Sequence, residues 1–186
     1  MPIVSDLARR KKLEYFLPRL PKDAAILEVG CGDGWFVQRA RELGWRNVRG
    51  LDVVPPADIV GDIRSWRSLS IAPESYDAIV AFELVEHVDC FDDLYAILKP
   101  GGMLMLTSPV PSRDWICRWL ERFGLTQSRT SPHAFLVDFR TIHRFTPVEI
   151  RVRGAVSQWG LFVKTDAPAQ GSDARPRSPA KPWTSG

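Results

Sequence analysis

An α/β fold is predicted, with a doubly wound, mostly parallel sheet covered by helices on both faces. Three observations predict it. Short apolar runs alternate with amphipathic segments, the pattern of strand–helix units in a parallel sheet. The first such run leads into a turn with glycine at every second position, Gly30, Gly32 and Gly34. The chain has 186 residues, 45% of them hydrophobic and 25% charged, which suits one domain with an apolar core.

The elements follow in order. Residues 5–17 carry Leu7, Leu13, Phe16 and Leu17 among charges and read as a helix closed by Pro18 and Pro21. Residues 25–29 read as a buried strand, and residues 35–43 as an amphipathic helix with Gly44 as its C-cap. Residues 47–53, 58–60 and 76–82 are the next three expected strands. Residues 85–98 set Val85, Val88, Phe91, Leu94 and Leu98 on one stripe and predict a helix. Lys99-Pro100-Gly101-Gly102 predicts a turn before a fifth strand at 103–107. Residues 112–123 predict another helix, with Trp115 and Trp119 as core residues rather than a substrate platform.

Near the end, Thr146-Pro147-Val148-Glu149 has the form of a helix capping box. Ile150-Arg151-Val152-Arg153 instead alternates like a strand. The expectation is a hairpin of 148–156 with 159–165, which gives the sheet an antiparallel C-terminal strand. Residues 1–167 are the expected domain. Residues 168–186, rich in Pro, Ala, Ser and Gly, are expected to be a disordered tail.

The net charge is +3. In the tail, Arg175, Arg177 and Lys181 face a single Asp173, so the body is nearly neutral. A nucleic-acid partner needs a concentrated basic face, and none is expected. The cluster Arg9, Arg10, Lys11, Lys12 reads as a solvated helix face. Cys31, Cys90 and Cys117 have neither metal-finger nor redox spacing and are expected to be reduced thiols. No apolar run approaches the ~20 residues of a membrane span, so a soluble, cytoplasmic protein with no membrane partner is expected. The oligomeric state is left open.

The informative stretch is Ile26-Leu27-Glu28-Val29-Gly30-Cys31-Gly32-Asp33-Gly34. Glycine permits positive φ and close approach of backbone to a ligand. The helix that follows offers unpaired N–H groups to an anion. The dinucleotide fingerprint is G-x-G-x-x-G; here Trp35 stands where its third glycine would be. Asp52 ends the second strand, where an acidic side chain accepts ribose hydroxyls. Gly61-Asp62-Ile63 follows the third strand.

The string E-x-G-x-G-x-G resembles the first motif of class I methyltransferases. Tyr76-Asp77-Ala78-Ile79-Val80-Ala81-Phe82 with Glu83-Leu84-Val85-Glu86-His87-Val88, and Ile97-Leu98-Lys99-Pro100-Gly101-Gly102-Met103-Leu104, resemble the fourth- and fifth-strand motifs of the same family. The resemblance spans about residues 9–110. It implies a Rossmann-like fold and an S-adenosylmethionine-dependent methyltransferase similar to the type 11 and type 23 small-molecule enzymes. It implies a cofactor site made of Glu28, Gly30, Cys31, Gly32 and Gly34 from the loop, Asp52 and Val53 from the second strand end, and Asp62, Ile63 and Phe82. Asp62 would meet the adenine amino group. Cys31 itself reads as a small apolar filler.

The acceptor is expected to be a small-molecule hydroxyl, whose proton needs a base. His87 and His133 are the expected catalytic histidines. Glu83, Glu86 and His87 form an E-x-x-E-H string, similar to that of metal-binding relatives, with His143 a conceivable fourth ligand. The expectation here is no metal, because carboxylates at a helix start are favoured without one. Two other readings stand beside this one: a metal-assisted RNA ribose methyltransferase, and a non-catalytic cofactor-binding domain with a shortened C-terminal region.

Overall fold

The computed structural model describes residues 3–111, 137–153 and 157–165. Helix α1 spans Ile3–Phe16 and passes into a 3-10 turn, Leu17–Arg19, that contains Pro18. Strand β1 (Ile26–Val29), helix α2 (Trp35–Glu42), strand β2 (Val48–Asp52) and strand β3 (Ile59–Val60) follow. A 3-10 segment, Ile63–Leu69, leads to strand β4 (Tyr76–Phe82), helix α3 (Phe91–Ile97) and strand β5 (Leu98–Pro109). A second 3-10 turn, Phe139–Thr141, precedes strands β6 (Thr146–Arg153) and β7 (Ser157–Val163).

The described residues form a seven-stranded sheet in the order β3-β2-β1-β4-β5-β7-β6. The first five strands run parallel, and β7 is antiparallel to both β5 and β6. The predicted hairpin and antiparallel C-terminal strand are therefore present. All four residues of β1 are buried, as befits a central strand covered on both faces. Alternate residues feed two cores. Leu27, Val29, Ile79 and Leu104 pack with Ile63, Trp66, Leu94 and Ile97 on the α3 side. Ile26, Val48, Val80 and Met105 pack with Phe16, Phe36 and Ala40 on the side of α1 and α2. No described helix is long and apolar enough to cross a membrane.

Three expectations are corrected. The helix expected at 85–98 begins only at Phe91. Residues 83–90 are a turn region in which the His87 N–H donates to the Leu84 carbonyl at 2.8 Å. Val85 is buried there and Val88 half-buried, so a helix-like spacing arises from a folded turn. Glu83 and Glu86 consequently do not sit at a helix start; Asp92 and Asp93 occupy the first turn of α3. Lys99-Pro100-Gly101-Gly102 lies within β5 rather than before it, kinked at Gly101 (φ +73°) and bonded to Lys164 through backbone groups. The expected helix at 112–123, with Trp115, Trp119 and Cys117, lies outside the described residues, as do His133 and the segment 168–186.

The two sheet edges differ. β3 has two residues. β6 has eight, interrupted by an irregularity between Pro147 and Glu149, and exposes Arg151 and Arg153.

Candidate active site

The loop after β1 adopts positive φ at Gly30 (+75°), Gly32 (+53°) and Gly34 (+72°), a region costly for residues that carry a Cβ. Gly30 and Cys31 donate N–H groups to the Leu51 carbonyl at 2.8 and 3.2 Å, and Gly34 donates to the Cys31 carbonyl at 2.9 Å. Gly32 donates to the Asp52 carboxylate at 2.8 Å. A Cβ added at Gly32 or Gly34 would meet nothing within 4 Å. The loop is thus a cradle open on its ligand side, with the start of α2 beside it. Cys31 points the other way. Its Sγ lies 2.8 Å from where a Cβ of Gly50 would stand, and burial pushes the thiol up to about 12. It fills space and carries no thiolate at neutral pH.

Asp52 and the exposed Val53 flank the cradle at the end of β2. Asp62 caps the 3-10 segment by accepting the Arg64 N–H at 2.9 Å. The Arg64 guanidinium also clasps its carboxylate and holds it below the usual range. Arg64 was not anticipated from the sequence. Ile63 is buried beneath this turn.

The end of β4 completes the arrangement. Phe82 is buried, stacks on Trp35 at 6.1 Å and lies under the Lys12 ammonium at 4.8 Å. Glu83 takes a positive φ of +51°, a strained conformation for a non-glycine residue. Its Oε1 accepts from Lys12 Nζ at 3.1 Å and from Thr107 Oγ1 at 2.8 Å. Desolvation would raise its carboxyl, but Lys12 and Thr107 hold it below the ordinary value. Glu86 is 1% exposed, and burial, then the Glu83 charge, lifts it to about 8. Glu28, equally buried, is lifted to about 8 by burial against the opposing pull of Lys12. Both therefore hold protons at neutral pH. His87 is half-buried beside this cluster in sequence.

Helix α1 contributes two cations that were read as solvated. Arg9 pairs with Asp33 of the loop at 2.9 Å and lies over Trp35, while Lys12 reaches Glu83. Their i,i+3 spacing, which puts both on one helix face, was the available signal. His143 is exposed ahead of β6. Among the described residues, no group of three or more His, Cys, Asp or Glu side chains is arranged to hold a metal ion.

An open glycine cradle at the carboxyl ends of β1 and β2, an acid at the end of β2, and a parallel sheet closed by an antiparallel hairpin define a Rossmann-like fold with its ligand-bearing end at that loop. The family model of a methyltransferase domain matches residues 5–152, and the chain belongs to that family. It is 32% identical over 116 residues to the ubiquinone biosynthesis O-methyltransferase of Xanthomonas axonopodis pv. citri (strain 306), covering 52% of this chain and 48% of that one. It is 36% identical over 104 residues to the mitochondrial ubiquinone biosynthesis O-methyltransferase of Rattus norvegicus, covering 45% and 30%. The chain spans about half the length of the first of these relatives, or less for the second. The fold resembles that of the PH0226 protein from Pyrococcus horikoshii OT3, with a TM-score of 0.63, 18% identity and coverage of 85% and 90%. It also resembles geranyl diphosphate C-methyltransferase from Streptomyces coelicolor A3(2), with a TM-score of 0.57, 16% identity and coverage of 87% and 79%.

Proposed function

We propose that the chain binds S-adenosylmethionine over the glycine loop and transfers a methyl group to a hydroxyl oxygen of a small molecule. The observation that carries this reading is the open space above Gly32 and Gly34, whose positive φ angles suit glycine, with the Asp52 carboxylate alongside. Relatives named as O-methyltransferases support an oxygen acceptor.

The cofactor supplies a methyl carbon already activated by a positively charged sulfur. The chain binds and orients. Asp52 accepts from the ribose hydroxyls, and Asp62 from the adenine amino group. Val53 would give apolar contact near the ring, with Ile63 buried behind that wall as its support, and Phe82 forms the floor under Lys12. Arg9 and Lys12 would offer cations to the cofactor's carboxylate, and Glu83 an acceptor to its amino group. Glu28 and the backbone of Gly30, Cys31, Gly32 and Gly34 shape the loop. The proton of the acceptor hydroxyl would pass to His87 or His133 as the methyl carbon leaves the cofactor sulfur for the acceptor oxygen. Holding acceptor and methyl in line supplies the main rate gain. Residues 1–167 constitute this domain, and a chain lacking 168–186 is expected to keep its melting temperature and cofactor affinity.

Calorimetry with S-adenosylmethionine, its demethylated product and a nicotinamide dinucleotide tests the cofactor. The first two are expected to bind and the third not; preference for the dinucleotide would overturn the reading. Label transferred from the methyl group to an acceptor nitrogen or carbon would overturn the oxygen assignment alone.

A further inference from the structure

At the opposite end of the sheet from the glycine loop, where β1, β2 and β4 begin, a cleft of about 540 Å³ opens. Arg41, Arg46 and Arg49 line it, together with Asn47, Ser70 and Tyr76. Among the described residues, no carboxylate is in its lining.

The charges around the cleft do not cancel. Arg41 is committed: it donates to the Val48 carbonyl at 2.6 Å and pairs with Asp58 at 2.8 Å. Asp58 is itself occupied, since it also accepts the Gly50 N–H at 2.8 Å. Arg49 meets the Tyr76 hydroxyl, a neutral partner. Arg46 is exposed and has no carboxylate partner among the described residues. Two neighbouring acids are held elsewhere. Asp77 pairs with Lys99 at 2.6 Å and accepts the Ala25 N–H at 2.8 Å, and Glu74 pairs with Lys164 at 2.9 Å. Asp23 reaches the lining residue Asn47 only through its backbone carbonyl, at 3.0 Å. Three arginines thus line one concavity, and of these only Arg41 is paired with a carboxylate among the described residues.

We propose that this cleft binds a phosphorylated small molecule, its phosphate or diphosphate held by Arg46 and Arg49. Planar guanidinium forks match phosphate oxygens in pairs. The Tyr76 hydroxyl and the Ser70 hydroxyl add neutral partners beside them. A single carboxylate would leave one of the two uncommitted guanidiniums unmatched, whereas a dianion answers both. The cleft, at about 540 Å³, leaves room beside the phosphate for an organic moiety. The seven residues of β4 separate the cleft from the glycine loop, roughly 20 Å at the rise of a strand. Both sites can therefore be filled together, and this one stands whether or not the chain transfers methyl groups.

The test is calorimetry of the full chain with inorganic phosphate, inorganic pyrophosphate and ADP, each with and without saturating S-adenosylmethionine. Saturable one-site binding of pyrophosphate is expected, with ADP at least as tight. The double variant Arg46→Ala/Arg49→Ala should weaken it about tenfold or more, as two charge-assisted hydrogen bonds are lost. Arg39→Ala, on α2 but outside the cleft, should leave it unchanged. Both substituted arginines are exposed, and a thermal melt verifies that the double variant remains folded. No saturable binding of any of the three anions would overturn the proposal. So would equal binding by the double variant, or equal loss in Arg39→Ala.

Discussion

The Asp52 carboxylate accepts the backbone N–H of Gly32 at 2.8 Å, which ties the end of β2 to the middle of the glycine loop. The same carboxylate accepts the Val54 N–H at 3.3 Å through its other oxygen. One side chain thus shapes the cradle and stands at its rim.

Asp52→Ala is therefore expected to weaken S-adenosylmethionine binding by about 1–3 kcal/mol, the usual loss for hydrogen bonds to a charged group. Asp52→Asn keeps one acceptor oxygen and should lose less. Calorimetry on folded variants checks this. An Asp52→Ala protein that binds as tightly as the parent would remove Asp52 from the cofactor site.

Two glycines separate cofactor binding from folding. Gly32→Val places a side chain in the open cradle at a φ of +53°. It should cost about 1–2 kcal/mol of stability, the usual cost of a left-handed backbone, and abolish measurable cofactor binding. Gly50→Ala instead drives a Cβ against Cys31 Sγ at 2.8 Å. It should lower the melting temperature while any protein that folds still binds cofactor. Cofactor binding by Gly32→Val equal to the parent's would show that the ligand does not cross the loop there.

Stability should depend on pH through Glu28 and Glu86, each held near 8 against an ordinary 4.5. Burial is the leading cause in both, with the Glu83 charge added at Glu86. In that window the folded chain keeps protons that the unfolded chain has released. Stability therefore falls as pH rises from about 4.5 to about 8 and levels off above. Melting temperatures should decline across this range and decline less in Glu28→Gln. A rise over the same window would contradict the buried, protonated state of these acids.

Divalent ions should not stabilise the protein. Lys12 already partners Glu83, and Glu86 keeps its proton, so the two carboxyls do not present a doubly charged pair. A bound ion would raise the melting temperature by mass action. Melts of chelator-treated protein titrated with magnesium, manganese and zinc should show no saturable shift, in the parent or in Glu86→Ala. A rise in the parent that vanishes in the variant would establish a metal site.

The parallel strands were legible because buried central strands are continuous apolar runs, and residues 76–82 match β4 end to end. The C-terminal hairpin was legible from the alternation in Ile150-Arg151-Val152-Arg153, despite a capping-box string before it. The helix predicted at 85–98 was half illegible. Val85 is buried from a turn, and the positive φ of Glu83 that starts this turn has no signature in a non-glycine residue. The glycine loop and Asp52 were readable as local patterns. Lys12 with Glu83 was not, since a contact across 71 positions leaves no mark on either neighbourhood. Arg64 clasping Asp62 was near enough to be found but carried no distinctive motif.

The unequal edges of the sheet bear on how copies of this chain meet. A bare strand is a template onto which another chain can zip its own backbone. At one border, β3 offers two residues, too few for a ladder to grow. At the other, eight residues of β6 would suffice, but the break in register between Pro147 and Glu149 interrupts an incoming strand. In an antiparallel pairing centred on Val152, Arg151 would face Arg153 of the other copy, like charge against like charge. The same hairpin that completes the sheet thus discourages its extension into a fibre.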